Sequence, residues 1–157
     1  MIRKDREVAN LDGIVEIVDK CKVMRLAMAD EGAPYIVPLN FGYRREGNTL
    51  ELYFHCANRG RKLDLLSRNP KVGFELDCGH RLVPDDTACK NSFFYESVIG
   101  VGVVTFFEEA SAKVTALNVI MEHQTGKTFD IPEKAVGGVK IGKILVTSVC
   151  GKAYQPK

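Results

Sequence analysis

A cluster of cationic side chains follows a short apolar stretch near the middle of the chain. Residues 52–54 are apolar, and the polar turn behind them carries Arg59, Arg61 and Lys62. Two leucines spaced three residues apart come next, which predicts a helix beginning in this turn. The free N–H groups and the dipole of a helix start attract anions, and Arg and Lys add donors suited to phosphate. The pattern predicts a phosphate site; the alternative is a basic, solvated helix start.

The five cysteines of the chain do not indicate a disulfide framework, because their number is odd and their spacings are wide. Cys78, His80 and Cys89 could supply three ligands to a soft metal ion. The chain has no C-x-x-C pair, however, and shows no fourth ligand. We therefore expect no metal site, and cysteines that are free thiols or form an occasional disulfide.

Length and composition indicate a single globular domain spanning residues 1–157. The chain is 45% hydrophobic and 27% charged, with a formal net charge of only +2 and no basic stripe. This balance argues against nucleic acid as a partner. The first residues have no apolar segment typical of a signal peptide, and no apolar run is long enough to cross a membrane. A cytoplasmic protein without membrane contact is expected.

Hydrophobic periodicity and turn residues predict about six strands and three helices. The predicted strands cover residues 23–29, 34–43, 49–54, 72–76, 93–107 and 143–149. The predicted helices follow a cap at Asn10 or Asp12, run over residues 59–67, and run over residues 108–122. A long loop is expected at 77–91, irregular structure at 125–140 and a tail at 151–157.

Short turns between consecutive strands favour antiparallel pairing, and the few helices fall between groups of strands. These features predict a mainly β fold, a six-stranded antiparallel β-barrel with peripheral helices. Pro38 inside the second strand indicates a sheet edge or a bulge. Gly100 and Gly102 lie on one face of their strand and indicate curvature or close approach of another group.

Several stretches, taken in order, resemble the FMN-binding split-barrel superfamily, which includes pyridoxamine 5′-phosphate oxidase. Within it, the chain is most similar to the branch of 5-nitroimidazole resistance proteins. The resemblance covers nearly the whole chain and lies in residues 3–7, 35–43 (YIVPLNFGY), 52–57 (LYFHCA), 60–66 (GRKLDLL), 69–72 (NPKV), 95–102 (YESVIGVG) and 148–152.

The resemblance implies FMN as cofactor and assigns residues to its site. The strand lying along the flavin ring would consist of Tyr35, Ile36, Val37, Pro38, Leu39 and Asn40. The next strand would end beside the flavin at His55 and Cys56. Arg61 and Lys62 match the pair that holds the FMN phosphate, and Ser97 matches a position near the flavin.

His55 is the candidate catalytic residue, as a proton donor or a flavin contact. Alternation along the strand puts it on the same face as Tyr53, and we expect that face to look toward the cleft that Arg61 and Lys62 serve. The alternative is a structural histidine bound to a backbone carbonyl. Cys56 is as readily explained as a small buried side chain.

The resemblance further implies a homodimer with FMN at the subunit interface and an oxidoreductase that reduces a small-molecule acceptor, such as a nitroimidazole. Two alternatives stay open: a non-catalytic flavin carrier or sensor, and a haem-binding split barrel with His55 or His80 as ligand. The chain lacks the C-terminal segment that contacts FMN and substrate in pyridoxamine 5′-phosphate oxidase. Oxidation of pyridoxamine is therefore not expected.

Overall fold

Eight strands form one antiparallel sheet in the computed structural model, which describes residues 3–154. The strands are β1 (Glu7–Val8), β2 (Val23–Met28), β3 (Tyr35–Asn40), β4 (Gly42–Glu46), β5 (Thr49–Ala57), β6 (Lys71–Val83), β7 (Ser92–Phe106) and β8 (Val139–Tyr154). The α-helices are α1 (Leu11–Lys20), α2 (Arg61–Arg68) and α3 (Ala110–Thr125). Short 3₁₀ turns cover Lys4–Arg6, Ala88–Lys90 and Glu133–Val136.

The sheet curls into a barrel that is split between its two edges. The strand order is β3-β2-β6-β7-β8-β5-β4, and β1 pairs with β8 outside this path. The two edge strands, β3 and β4, are separated in sequence by Phe41 alone, so the chain itself bridges the split. Phe41 is fully buried and anchors this bridge in the core.

Apolar side chains from the inner face of the barrel form the main core. Met24, Leu26, Leu52, Phe54 and Leu76 are all completely or almost completely buried there. The helices α1 and α2 add their apolar faces, including Ile17, Val18, Leu65 and Leu66. The third helix packs outside the barrel, where Val119 and Ile120 cover Tyr53 and Ile141. The predicted mainly β barrel with peripheral helices is confirmed.

The strand count differs from prediction, because the structure has eight strands where the sequence indicated six. The apolar stretch 34–43 is two strands, broken at Phe41 where the chain crosses the split of the barrel. The two-residue strand β1, which pairs with Lys152 and Gly151 of β8, is too short to leave a periodic signal. The cap at Asn10 is confirmed, since its side-chain oxygen accepts from the N–H of Gly13 at 2.7 Å.

The loop predicted at 77–91 is wrong over its first half. Strand β6 continues to Val83 and stays paired with β7 across a bulge between Cys78 and Arg81. Gly79 has a φ of 68° at this bulge, a conformation that favours glycine. A bulge interrupts the alternation of apolar and polar residues. The sequence therefore shows no strand pattern here, although β6 and β7 remain paired.

The tail predicted at 151–157 is likewise wrong as far as Tyr154, because β8 continues to that residue. Residues 1–2 and 155–157 lie outside the described part of the chain. The edge position predicted from Pro38 is confirmed, since β3 pairs with β2 alone. Within residues 3–154, no helix is both long and apolar enough to span a membrane.

The close approach predicted at the paired glycines is also confirmed. A Cβ atom at Gly100 would lie 2.3 Å from the ring of Phe74, and one at Gly102 would lie 2.5 Å from the carbonyl oxygen of Leu145. The β7–β8 register shifts between Val101 and Gly102. The two glycines thus let the core and the bulged strand β8 pack directly on β7.

Candidate anion site at the start of helix α2

The guanidinium of Arg61, the first residue of α2, lies between an acidic and an aromatic side chain. Its Nε donates to Oδ2 of Asp30 at 3.0 Å, and its Nη2 donates to the same oxygen. Its central carbon lies 4.8 Å from the ring centroid of Tyr35. The side chain of Arg61 stays 64% exposed, and Nη1 has no acceptor among residues 3–154. Arg61 is therefore held in place with donors left for a ligand.

Asp30 is the carboxylate that positions this arginine. Its side chain is 11% exposed, and it lies in the turn between β2 and β3. The hydrogen bond from Arg61, followed by one from the backbone N–H of Glu31, lowers the pKa of Asp30 below its usual value. Sequence reasoning missed this residue, because an Asp in a turn before a glycine is explained locally and gives no sign of a partner 31 residues away.

Lys62 is a half-buried cation on the barrel side of the same helix turn. Its ammonium lies 5.9 Å from the ring centroid of Phe54. Burial lowers the pKa of Lys62, and the nearby thiol of Cys56 opposes that shift. The ammonium has no hydrogen-bonding or ionic partner among the residues that the structure describes. A desolvated cation without a counter-charge is costly, so the site favours an anionic ligand.

Backbone donors complete the site. Gly60 has a φ of 131° and precedes the first helical residue. Its carbonyl oxygen accepts from the N–H groups of Leu63, at 2.9 Å, and Asp64, at 3.2 Å. The N–H groups of Arg61 and Lys62 have no acceptor within residues 3–154. Two free N–H groups, one guanidinium edge and one ammonium thus come together at a helix start, a donor set that fits a phosphate.

Cys56 lies beside this site as a half-buried thiol. Burial raises its pKa, whereas the positive charges of Lys62 and Lys140 act in the opposite direction. A thiol with a raised pKa is a poor nucleophile at neutral pH. The structure therefore brings Cys56 near Lys62 and favours a packing role for it.

His55 occupies the other face of β5. It is exposed and pairs with Ile141 of β8, whereas Phe54 and Cys56, the neighbours of Lys62, point to the opposite side. This differs from the expectation that His55 shares a cleft with Arg61 and Lys62 within one chain. The alternation of side chains along β5 is the reason: a residue next to Phe54 and Cys56 cannot share their face.

The predicted flavin strand, β3, presents two different faces. Tyr35, Val37 and Leu39 pack against the core, whereas Ile36, Pro38 and Asn40 are exposed. Tyr35 reaches the anion site through Arg61. Asn40, at the far end, donates to the carbonyl oxygen of Lys22 at 3.1 Å. Because β3 is an edge strand, the backbone groups along its outer side are open to a ligand.

Ser97 lies far from His55 of the same chain. Its partner on β8 is Lys152, eleven positions from Ile141, the partner of His55. At about 3.3 Å per residue, that separation is roughly 36 Å along the strand. Ser97 is therefore not brought to the anion site of its own chain.

The residues considered for a metal are not gathered either. The Nε2 atom of His80 lies 2.8 Å from Oδ2 of Asp77, and Cys89 is exposed on the turn after β6. Among residues 3–154, no cluster of three or more His, Cys, Asp or Glu side chains has an arrangement suited to a metal ion.

A separate cavity of about 730 Å³ lies between β4 and the C-terminal ends of α1 and α3. Its polar groups are already engaged with one another. The hydroxyl of Tyr43 donates to Asp19 at 3.0 Å, and the ammonium of Lys22 donates to the carbonyl oxygen of His123 at 2.6 Å. These contacts join the C-terminal ends of the two helices. The polar groups at this cavity therefore already serve packing between elements, whereas the donor groups at the start of α2 have no partner among the described residues.

Comparison with known proteins places the geometry in a family. Residues 11–153 match the family model described as pyridoxamine 5′-phosphate oxidase. No curated protein gives a significant sequence match.

A solved structure of a candidate 5-nitroimidazole antibiotic resistance protein from Bacteroides thetaiotaomicron is 34% identical to this chain. It covers 94% of this chain and 86% of its own length, with a TM-score of 0.81.

Two more distant structures share the fold. The FAD and haem binding protein from Mycobacterium smegmatis is 16% identical over 96% of this chain and 74% of its own, with a TM-score of 0.80. The flavocytochrome Anf3 from Azotobacter vinelandii is 16% identical over 96% of this chain and 70% of its own, with a TM-score of 0.77. The match across residues 11–153 establishes that the chain belongs to the pyridoxamine 5′-phosphate oxidase family.

Proposed function

We propose that this protein binds FMN through the anion site at α2 and acts as an oxidoreductase on small acceptors such as nitroimidazoles. The observation that carries the proposal is Lys62, a half-buried ammonium without a counter-charge among the described residues. Arg61 and two free N–H groups stand beside it. Together they form the donor set that a phosphate monoester requires. A bound flavin supplies the redox chemistry, and the protein supplies binding, orientation and electrostatics.

The comparisons support a flavin as the cofactor class. Two structural relatives are described by names that include FAD or a flavocytochrome. The relative at 34% identity is described as a candidate 5-nitroimidazole antibiotic resistance protein, which supports nitro compounds as acceptors. FMN, with its terminal phosphate, suits the compact site at α2.

Replacing both cations tests the cofactor proposal. We expect Arg61→Ala with Lys62→Ala to weaken FMN binding about ten- to hundredfold, since a charge-assisted phosphate contact contributes about 1.5–3 kcal/mol. Riboflavin, which lacks the phosphate, should bind the parent protein and the double variant equally weakly. Fluorescence titration measures both affinities.

Arg59→Ala provides the matched control, because Arg59 is a neighbouring, exposed cation that precedes α2. It should leave the FMN affinity within about twofold, since exposed charges contribute little. An unchanged FMN affinity in the Arg61 and Lys62 double variant would place the phosphate elsewhere. An equal loss of FMN affinity in the Arg59→Ala variant would mean that general surface charge, and not a phosphate contact, explains the weaker binding.

We further propose a homodimer with FMN between the subunits. An apolar row crosses the outer face of the sheet through Ile36, Ala27, Gly73 and Val101, which are neighbours in the strand register. Ile36 is 55% exposed and Val101 is 49% exposed. We define this row, with Ile99 and Leu145 beside it, as the outer apolar face.

None of the described helices covers this face: α1 and α2 pack into the barrel core and α3 packs on β4 and β5. A groove of about 560 Å³ runs along it and is lined by Ala27, Gly73 and Val101. A second copy of the chain would bury the same residues from both sides, as a two-fold interface does. The exposed face of β3 adjoins this row, so a flavin along β3 would lie at the interface.

We propose that His55 donates a proton to the bound acceptor. It is exposed at the end of β5, one residue before Cys56, which borders the anion site. A histidine side chain can take up and give up a proton near neutral pH. Its position on the outer side of β5 makes it available to a molecule bound beside the barrel, not inside it.

Haem binding is the second candidate, because the names of two structural relatives describe haem or a flavocytochrome. His55 and His80 are both exposed and could act as axial ligands. Absorption spectra of the purified protein separate the candidates: flavin bands support the first, and a Soret band supports the second. Reduction of a nitroimidazole with NAD(P)H then distinguishes an enzyme from a flavin carrier.

A further inference from the structure

A cavity of about 270 Å³ lies between α3 and the sheet, at residues that the proposed function does not use. Tyr53 of β5 and Phe107, just after β7, form its aromatic side, and Ala112 and Ala116 line it from α3. Among residues 3–154, Arg44 of β4 is the one charged residue that lines this cavity. The cavity is thus apolar, with a single exposed cation at its edge.

The cavity exists because α3 touches the sheet closely at one point and carries small side chains beyond that point. A Cβ atom at Gly42 would collide with the backbone of α3, so this glycine lets the helix lie directly on β4. Further toward the helix start, the short side chains of Ala116 and Ala112 leave the space open. The rings of Tyr53 and Phe107 are nearly parallel, with centroids 6.1 Å apart and an interplanar angle of 10°. Aromatic surfaces of this kind favour a planar apolar ligand.

The carboxylate nearest to Arg44 in the strand register is already engaged. Glu51 lies directly opposite Arg44 on β5. Its Oε2 accepts from the hydroxyl of Tyr53 at 2.5 Å, and its Oε1 accepts from the ammonium of Lys143 at 2.7 Å. Burial would raise the pKa of Glu51, but these two bonds outweigh burial and lower it. Glu51 is therefore an ionised carboxylate that Lys143 neutralises, and Arg44 has no carboxylate within 4.0 Å among residues 3–154.

The next residue, Arg45, shows the contrast. Its guanidinium bonds the carboxylate of Asp12 and donates to the carbonyl oxygen of Gly47 at 2.9 Å. The donors of Arg44, by comparison, have no acceptor in the part of the chain that the structure describes. A guanidinium presents two parallel N–H groups that match the two oxygens of a carboxylate. Arg44 is thus suited to bind an external carboxylate at the edge of an apolar cavity.

We propose that this cavity binds a small aromatic monocarboxylate, with its ring against Tyr53 and Phe107 and its carboxylate on Arg44. A volume of about 270 Å³ accommodates one ring and its carboxylate but not a larger ligand. A second carboxylate on the far side of the ring would be buried without a cation, which is costly. The hydroxyl of Thr115, which also lines the cavity, already donates to the carbonyl oxygen of Ser111 at 3.1 Å. The inference is independent of the proposed function, because no residue of the anion site lines this cavity.

The test titrates the full chain, labelled with nitrogen-15, with benzoate and follows the backbone amide signals by NMR. Benzoate should cause saturable shifts in the first half of α3 and in β4 and β5. Benzamide has nearly the same shape without the charge, and it should bind at least about tenfold more weakly. Terephthalate, which carries a second carboxylate, should bind as weakly as benzamide. Equal affinities for benzoate and benzamide, no saturable shift with benzoate, or shifts confined to the start of α2 would overturn the proposal.

Two pairs of variants test the two parts of the site. Arg44→Met should lower the benzoate affinity at least about tenfold, whereas Lys113→Met, a cation of α3 that does not line the cavity, should change it less than about twofold. Ala112→Leu should fill the cavity and abolish binding, whereas Ala110→Leu, outside the cavity on the same helix, should leave it intact. Circular dichroism checks that each variant is folded. Should Ala112→Leu fail to fold, the arginine variant alone decides, and an unchanged benzoate affinity in Arg44→Met would refute the assignment.

Discussion

At the scale of single residues, Asp30 controls the donor that a phosphate would meet. It holds the Nε and Nη2 groups of Arg61 and leaves Nη1 free. The carboxylate thereby positions the guanidinium before a ligand arrives, at the cost of placing one negative charge near an anion site. The pair also contributes to stability in a pH-dependent way, because the pKa of Asp30 is lowered in the folded protein.

We predict that Asp30→Asn lowers the melting temperature at pH 7 and that the difference from the parent shrinks on acidification. A carboxyl group with a lowered folded pKa stabilises the fold above its unfolded pKa of about 3.9. That contribution is lost as the pH falls through the folded pKa. Thermal unfolding measured from pH 7 to pH 2 checks this. Asp86→Asn, in the exposed segment after β6, is the control, and a pH-independent difference for Asp30→Asn would contradict the argument.

A second residue-scale prediction concerns His55 and its neighbour Cys56. His55→Ala should keep the fold, because the side chain is exposed, and should slow nitroimidazole reduction more than Cys56→Ala does. Steady-state rates with each variant and a melting curve test both parts. Equal rates of nitroimidazole reduction in His55→Ala and the parent protein would indicate that His55 has only a structural role. Under the haem alternative, the same change would remove a Soret band and leave flavin binding intact.

At the scale of elements, the start of α2 depends on the backbone of Gly60. Its φ of 131° and ψ of 166° belong to a region that is nearly exclusive to glycine. A Cβ atom there would meet no atom within 4 Å, so the conformation alone requires glycine. This glycine turns the chain from β5 into α2 and aims the N–H groups of Arg61 and Lys62 outward.

We predict that Gly60→Ala lowers the free energy of unfolding by about 1–3 kcal/mol and weakens FMN binding. Strain at the turn should displace the first N–H groups of α2 from the phosphate. Gly138→Ala is a matched control, because a Cβ atom at Gly138 also meets no atom within 4 Å and its φ is not in the left-handed region. Denaturant unfolding and FMN titration of both variants test this, and equal effects would exclude the backbone explanation.

At the scale of the whole molecule, the outer apolar face is the surface through which we propose that two copies of the chain form a dimer. Light scattering at micromolar concentration should give the mass of a dimer with FMN bound. Val101→Lys should give a monomer with an unchanged far-UV circular dichroism spectrum, because a two-fold interface would place the two new charges close together. Thr128→Lys, on the exposed segment after α3, should stay dimeric. A monomer mass for the parent protein would contradict the proposed assembly.

The sequence by itself determined the local elements and the chemistry they carry. Apolar alternation located most of the strands, Asn10 or Asp12 was predicted to cap α1, and Pro38 predicted an edge or a bulge. The Arg61–Lys62 pair at a helix start was readable because capping and charge act over a few residues. The strand count was wrong only where local signals end, at Phe41 and in a two-residue strand, and the length of β6 was wrong behind a glycine bulge.

Only the tertiary structure decided which residues meet. It joined Asp30 to Arg61, put His55 on the face of β5 opposite to the neighbours of Lys62, and paired Ser97 of β7 with Lys152, near the C-terminal end of β8. Each of these outcomes depends on strand register and on the curl of the sheet. Register is set by packing between residues distant in sequence, so no window along the chain contains the information that fixes it.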